Sequence, residues 1–353
     1  MNIKKRIAGM SVAWFSFNLA TSAIILSSFA LGTAIKSPLL FEIAKILAYI
    51  NTSIFVVISI AFIIKILILG KKFFAVFKDP GRGPFMTIIS IAIMLLSLDW
   101  LVVLRNPPIA LAFFVTGTAL HFIMTVAILY YFIMHEGIEV HAMNPGWYMP
   151  PVGLILVPYI GSMLPYHISH AFMGVFLGSG AIMWLALFTI WLYRSFFHQP
   201  PPGRQVVTMW INLAPPAILP ISYAALLGIM PKQYHAMLTA LSKVNNTLPK
   251  LLVMVSDSLF YTFWGLDGLI FVLVLMVTLA YWRRKALAFA ESWWAFVFPT
   301  AAYTISTIQL MAHHPEKWLL FYAMFLYLLT WLLYLVTTIK SITYGLKEWL
   351  REE

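Results

Sequence analysis

Ten apolar runs, each near the length that crosses a bilayer, fill almost the whole of this chain of 353 residues. A helical crossing takes roughly 20 apolar residues. The runs fall at about 10–32, 40–69, 85–104, 108–133, 148–165, 168–196, 206–229, 257–282, 292–312 and 317–346. Inside lipid a backbone must satisfy its own hydrogen bonds, so runs of this kind predict helices. The loops between them are too short for a soluble unit, and 1–353 is expected to form a single transmembrane domain. Composition agrees, since 62% of the residues are apolar, 10% are charged and the mean hydropathy is +0.89. No water-soluble domain of this size has such a balance. The first run lacks a small-residue cleavage motif and reads as a retained helix rather than a signal peptide. The expected fold class is an all-α polytopic membrane protein with ten transmembrane helices.

The runs alternate in character. Odd-numbered runs are mostly short and carry Gly, Pro, Ser, Thr and Asn, whereas several even-numbered ones are long and rich in Leu, Ile and Phe. Lipid offers nothing to a hydroxyl or amide, so small and polar residues collect where helices meet one another or a cavity. The pattern predicts five helical hairpins, with the odd helices lining a central pore and the even ones outside. An inverted-repeat transporter is the alternative, but five hairpins do not divide into equal halves. Prolines strengthen the first reading. Pro150, Pro151, Pro158 and Pro165 interrupt the fifth run, Pro215, Pro216 and Pro220 the seventh, and Pro299 the ninth, two turns after Glu291. A proline within a span frees a carbonyl that must face protein or water. Phe298 and Pro299 are therefore expected at the pore.

Charge sets the orientation. Counted on alternate sides, 16 Lys and Arg fall on one face, among them Lys71, Lys72, Arg283, Arg284 and Lys285, and 7 on the other, among them Lys45 and Lys317. The positive-inside rule then places both termini in the cytoplasm and the protein in the plasma membrane as a multi-pass chain. The excess of 23 Lys and Arg over 12 Asp and Glu reads as headgroup contact with the lipid bilayer, with no nucleic acid as partner. With no cysteine the chain has neither disulfides nor thiolate metal sites.

Few residues offer chemistry. Asp99 ends the third run before Trp100 and Arg105, and reads as an interfacial carboxylate at a headgroup or paired with Arg105, with a role in the conduit as the alternative. Asp267 lies deeper and needs either a hydrogen bond to a neighbouring helix or a proton. His121 alone among nine histidines lies deep inside a run, where a helix-to-helix hydrogen bond is its ordinary use. The pairs His167 and His170, His313 and His314, and His135 and His141 do not make an HExxH or a repeated HxxxH pattern, so no metal and no other cofactor is expected. A histidine-metal membrane enzyme is the weakest class. Asn18, Thr21, Ser22, Ser97, Pro158, Asn212 and Pro215 supply the hydroxyls, amides and helix breaks expected along the pore.

Five segments in order, Trp14-Phe15 with Leu19-Ala-Thr-Ser22, Asp79-Pro80, Trp147-Tyr-Met-Pro-Pro151 with Gly161, Thr208-Met-Trp-Ile-Asn-Leu-Ala-Pro-Pro216, and Ser292-Trp-Trp-Ala-Phe-Val-Phe-Pro299, resemble the tellurite-resistance/dicarboxylate transporter family. Slow anion channels and malate and sulfite exporters belong to it. The resemblance implies a ten-helix protomer with five odd helices around a pore, a homotrimer with one pore per protomer, and a pore gate at Phe298. The exporters' Gly-Thr-Gly is Ala20-Thr21-Ser22 here, and the family's His-Pro is Asp79-Pro80. The expected function is an anion channel or channel-like uniporter for small monovalent anions, extending to small organic acids. The alternative is a proton-coupled or antiport exporter of dicarboxylate or sulfite, with Asp267, Asp99 or His121 carrying the proton. A pore without a cationic ring suits the first reading, because a mid-membrane Lys or Arg would bind an anion too well to release it.

Overall fold

The computed structural model describes residues 3–228 and 247–351. In chain order its α-helices are α1 (Ile3–Gly9), α2 (Trp14–Ile35), α3 (Pro38–Leu69), α4 (Ile88–Leu98), α5 (Pro107–Ile133) and α6 (Met149–Met163). They continue as α7 (His170–Phe197), α8 (Ala214–Leu226), α9 (Thr247–Arg283), α10 (Val297–His313) and α11 (Lys317–Arg351). Among the described residues, nine helical stretches are long and apolar enough to cross a membrane. The expected crossing at 148–165 is α6, 15 residues long, with a 3₁₀ turn at Pro145–Tyr148 in front of it. The chain is thus an all-helical polytopic protein with nine to ten candidate spans. Of the stretch 231–250, which reads in the sequence as an amphipathic segment on the outer face, 231–246 lies outside the described residues.

Burial separates two classes of span. The apolar stretches of Trp14–Ile35, Pro84–Val103, Val206–Leu226 and Glu291–His313 are 67% to 94% buried, while those of the long helices α3, α5, α7, α9 and α11 are only 17% to 33% buried. The long helices turn side chains such as Leu67, Ile182 and Leu269 outward, as lipid contact allows. Each short helix packs on the long one that follows it: α2 on α3, α4 on α5, α6 on α7, α8 on α9 and α10 on α11. The short helices also touch one another in sequence, α2 with α4, α4 with α6, α6 with α8, α8 with α10, and α10 with α2. Between α5 and α6 the approach is so close that a methyl group on Gly153 would lie 2.1 Å from the His121 ring.

The breaks in the short spans take a form the sequence did not suggest. Four of them open with a 3₁₀ turn, at Pro84–Thr87, Pro145–Tyr148, Val206–Leu213 and Glu291–Phe296. The fifth, α2, is preceded by three-residue hydrogen bonds from Trp14 to Ser11, Phe15 to Val12 and Ser16 to Ala13. Consecutive turns touch, 84–87 on 145–148, then 206–213, then 291–296, and 291–296 on α2. Pro150, Pro151, Pro215, Pro216 and Pro299 therefore fall in the first turns of α6, α8 and α10, where an amide N–H has no α-helical acceptor to lose. Pro299 does not bend a helix from within, as expected from its distance after Glu291; the change of pitch precedes it. Among the described residues, only Pro158 and Pro220 are interior prolines, each leaving the carbonyl four residues earlier without its helical donor.

Candidate functional site

A cavity of about 620 Å³ opens at the end of the bundle where the 3₁₀ turns gather. Its mouth carries Lys65, Lys72 and Arg82 together with Asp79 and Glu291, and its inner wall is apolar, built by Leu19, Met149, Ile211, Phe298 and Pro299. Those five come from α2, α6, the turn before α8, and α10, so the cavity reaches inward between the short helices. Phe298 is 5% exposed. The ring, at the second residue of α10, is part of the apolar wall of this vestibule.

The mouth is held by local chemistry. Asp79 Oδ1 accepts from the N–H groups of Gly81 at 2.8 Å and Arg82 at 3.1 Å, and Oδ2 accepts from Arg82 Nε at 2.7 Å. Burial raises the Asp79 carboxyl, but the Arg82 side chain and the two backbone donors outweigh it and hold it below its ordinary value. Lys65 donates to the carbonyl of Met10, pinning the segment before α2 to α3. Lys72 makes no such tie and stays exposed at the rim.

Of the residues expected along the pore, only Phe298 and Pro299 line this vestibule. The amides and hydroxyls of α2 join helices instead. Asn18 donates to Asn51 Oδ1 at 2.9 Å and to its carbonyl at 3.0 Å, and Asn51 donates to Ser22 Oγ at 2.9 Å and Asp99 Oδ2 at 3.2 Å. Ser22 donates to Asp99 Oδ2 at 2.6 Å. Thr21 bonds Phe17 O and Tyr334 Oη, Ser97 donates to Ala110 O at 2.7 Å, and Asn212 donates to Met209 O at 2.7 Å. Buried donors take the nearest acceptor, and between packed helices that acceptor is on a neighbour or one turn back.

The two membrane carboxylates differ from expectation. Asp99 is fully buried, is bonded to Ser22 and Asn51 rather than Arg105, and opens a π turn over Asp99–Val103. Buried among these partners, it meets neither a headgroup nor Arg105. Its Oδ1 has no donor among the described residues. Asp267, also fully buried, has no hydrogen bond at either oxygen among the described residues. His121 is held at both ring nitrogens, by Ser90 Oγ at 2.9 Å and Pro150 O at 2.7 Å. Among the described residues no group of three His, Asp or Glu side chains has the arrangement of a metal site.

Sequence reasoning missed Asn51, which ties α2 and α4 together, and a lone amide in an apolar helix was the signal available. Lys65, Lys72 and Arg82 count among the 16 basic residues of one face; basic residues are expected to concentrate anions at the mouths, but the sequence does not single out these three for it.

A family profile described as SLAC1, voltage-dependent anion channel, matches residues 9–342. The chain belongs to that family. Among curated proteins, two uncharacterized transporters of Methanocaldococcus jannaschii are similar to it. One is 27% identical over 344 residues, 95% of each chain, and the other 26% identical over 303 residues, 84% of this chain and 82% of that one. Membership of the voltage-dependent anion channel family makes this an anion channel or transporter in a membrane, not an enzyme, and agrees with the resemblance drawn from the five sequence segments.

Proposed function

We propose that this protein is a passive channel, or channel-like uniporter, for small monovalent anions and small organic acids. The conduit runs between α2, α4, α6, α8 and α10, which touch in a closed order, with the paired helices α3, α5, α7, α9 and α11 outside. The observation that carries this reading is Phe298, seated at the apolar end of a vestibule whose mouth is basic. Lys65, Lys72 and Arg82 raise the local anion concentration, and Phe298 excludes water and ions by size and dewetting rather than by charge. The vestibule faces the cytoplasm, the termini lie on the same side, and three protomers assemble in the plasma membrane, each with its own conduit. Anion-replacement recordings in planar bilayers test it: the reversal potential should follow the anion gradient alone, and Phe298→Ala should raise the current.

A second reading, proton-coupled export of a dicarboxylate or sulfite, is favoured by the buried carboxylate oxygens of Asp99 and Asp267 that lack donors. A reversal potential that moves with pH at a fixed anion gradient supports it and counts against the channel.

A further inference from the structure

Beside the vestibule, a second, open cavity of about 770 Å³ is bordered by the end of α7, the segment 198–205, the loop at 141–144 and the start of the 291–296 turn. Arg194, Arg204, His141 and His198 line it, and no Asp or Glu is among the described residues that do. Glu139 reaches His141 from outside the lining, at 2.8 Å. Arg194 is the telling residue. It is only 7% exposed, in the last turn of α7, and its Nε has no hydrogen-bond acceptor among the described residues. A guanidinium taken out of water with an open donor is costly until an anion completes it.

We infer that this cavity binds a phosphate-bearing anion and that the occupant holds the conduit shut. The binding half stands on the cavity alone, whereas the closing half rests on Phe298 being the plug. Two guanidinium groups suit phosphate oxygens, which they meet in paired hydrogen bonds. The volume lies in the range of ligand pockets and far exceeds a single monovalent anion, so the conducted ion is a poor fit and a larger phosphate ester or a phospholipid headgroup a good one.

The wall is already built on one side. Tyr281 Oη donates to Pro201 O at 2.8 Å, and at Gly203 an added methyl group would lie 1.9 Å from the Ala286 carbonyl, so the segment is pressed against the chain after α9. On the other side Ser292 Oγ donates to Arg204 O at 3.0 Å. Ser292 belongs to the 3₁₀ turn that leads into Phe298, and Gly81, Phe85 and Ser292 line both cavities. An anion clamped between Arg194 and Arg204 fixes the segment that grips Ser292. Because that grip exists with Phe298 seated, the ligand favours the closed conformer.

The test uses the full chain in phosphatidylcholine nanodiscs, titrated calorimetrically with inorganic tripolyphosphate, and bilayer recordings with tripolyphosphate or with phosphatidic acid added to the membrane. Tripolyphosphate should bind, and Arg204→Gln and Arg194→Gln should each weaken it on the order of tenfold or more. Arg204 and His198 are exposed, so Arg204→Gln and His198→Asn, checked by melting temperature, carry the test should Arg194→Gln misfold. Binding with a fall in wild-type current identifies a soluble phosphate. No tripolyphosphate binding, but a fall in current with phosphatidic acid that Arg204→Gln removes, identifies a headgroup. No response to either probe, or responses that Arg204→Gln and His198→Asn leave unchanged, overturns the site. Binding without any change in wild-type current overturns the closing role. If Phe298→Ala conducts no better than wild type while tripolyphosphate still binds, the plug fails and the site stands.

Discussion

Phe298→Ala removes a ring from the vestibule's apolar end while leaving the start of α10 intact, so anion conductance should rise, on the order of tenfold, with normal expression. Phe298→Leu should fall between the two. A normally folded alanine variant with wild-type current would assign the ring to packing. The neighbouring Phe296 behaves differently because it packs on Trp210 at 5.1 Å and Trp293 at 5.6 Å. Phe296→Ala should cost about 3–5 kcal/mol, seen as a lower melting temperature rather than a higher current. At the mouth, Lys72→Gln should lower conductance by roughly half in dilute salt and have no effect near 1 M, where charges beyond about 3 Å are screened. Asp79 sets the acid limit of that mouth. Its folded value is depressed, so the stability it lends its turn is complete above the unfolded value and is lost as pH falls through the folded one. From pH 8 to pH 5 the low-salt conductance of a Phe298→Ala background should show no step from this turn, while Asp79→Asn should shift it throughout. The place of Phe298 in the cavity wall was legible because an aromatic before proline in a matching segment is a local signal. Asp99 was not, since its partners Ser22 and Asn51 lie 77 and 48 residues away, and nothing in the sequence near Asp99 announces a π turn.

At the scale of the helix, Gly153 is the contact that admits no side chain. A methyl group there meets the His121 ring, and that ring cannot swing aside because Ser90 and Pro150 hold both nitrogens. Gly153→Ala should therefore destabilise the α5 and α6 pair by about 1–3 kcal/mol, the usual cost of overpacking, measured as thermal aggregation in detergent. The division into short buried and long exposed helices was readable from composition, because lipid and protein neighbours select different residues. The 3₁₀ openings were not. A proline in a hydrophobic run marks a break, but whether it kinks a helix or sits in the first turn of a new one depends on which upstream residues take the tighter pitch, and neighbouring turns decide that.

For the molecule as a whole, orientation and assembly are the open expectations. Single cysteines at Lys71 and Lys317, placed in this cysteine-free chain, should react with an impermeant reagent from opposite sides of the membrane; reaction of both from outside would refute the arrangement of spans. Native mass measurement should give three protomers, and a fully active monomer would remove the need for them. Charge counting could set the first because flanking Lys and Arg act during insertion, whereas outward apolar faces suit lipid and neighbours equally and leave the second to the family. The five opening turns also have a mechanical side. A 3₁₀ helix rises about 2.0 Å per residue at three residues per turn, against 1.5 Å and 3.6 for an α-helix. Relaxing the six residues of Glu291–Phe296 to the looser winding would shorten them by about 3 Å and unwind them by about 120°. Such a change would act as the thread of a small bolt, withdrawing and rotating the tip of α10 in one stroke.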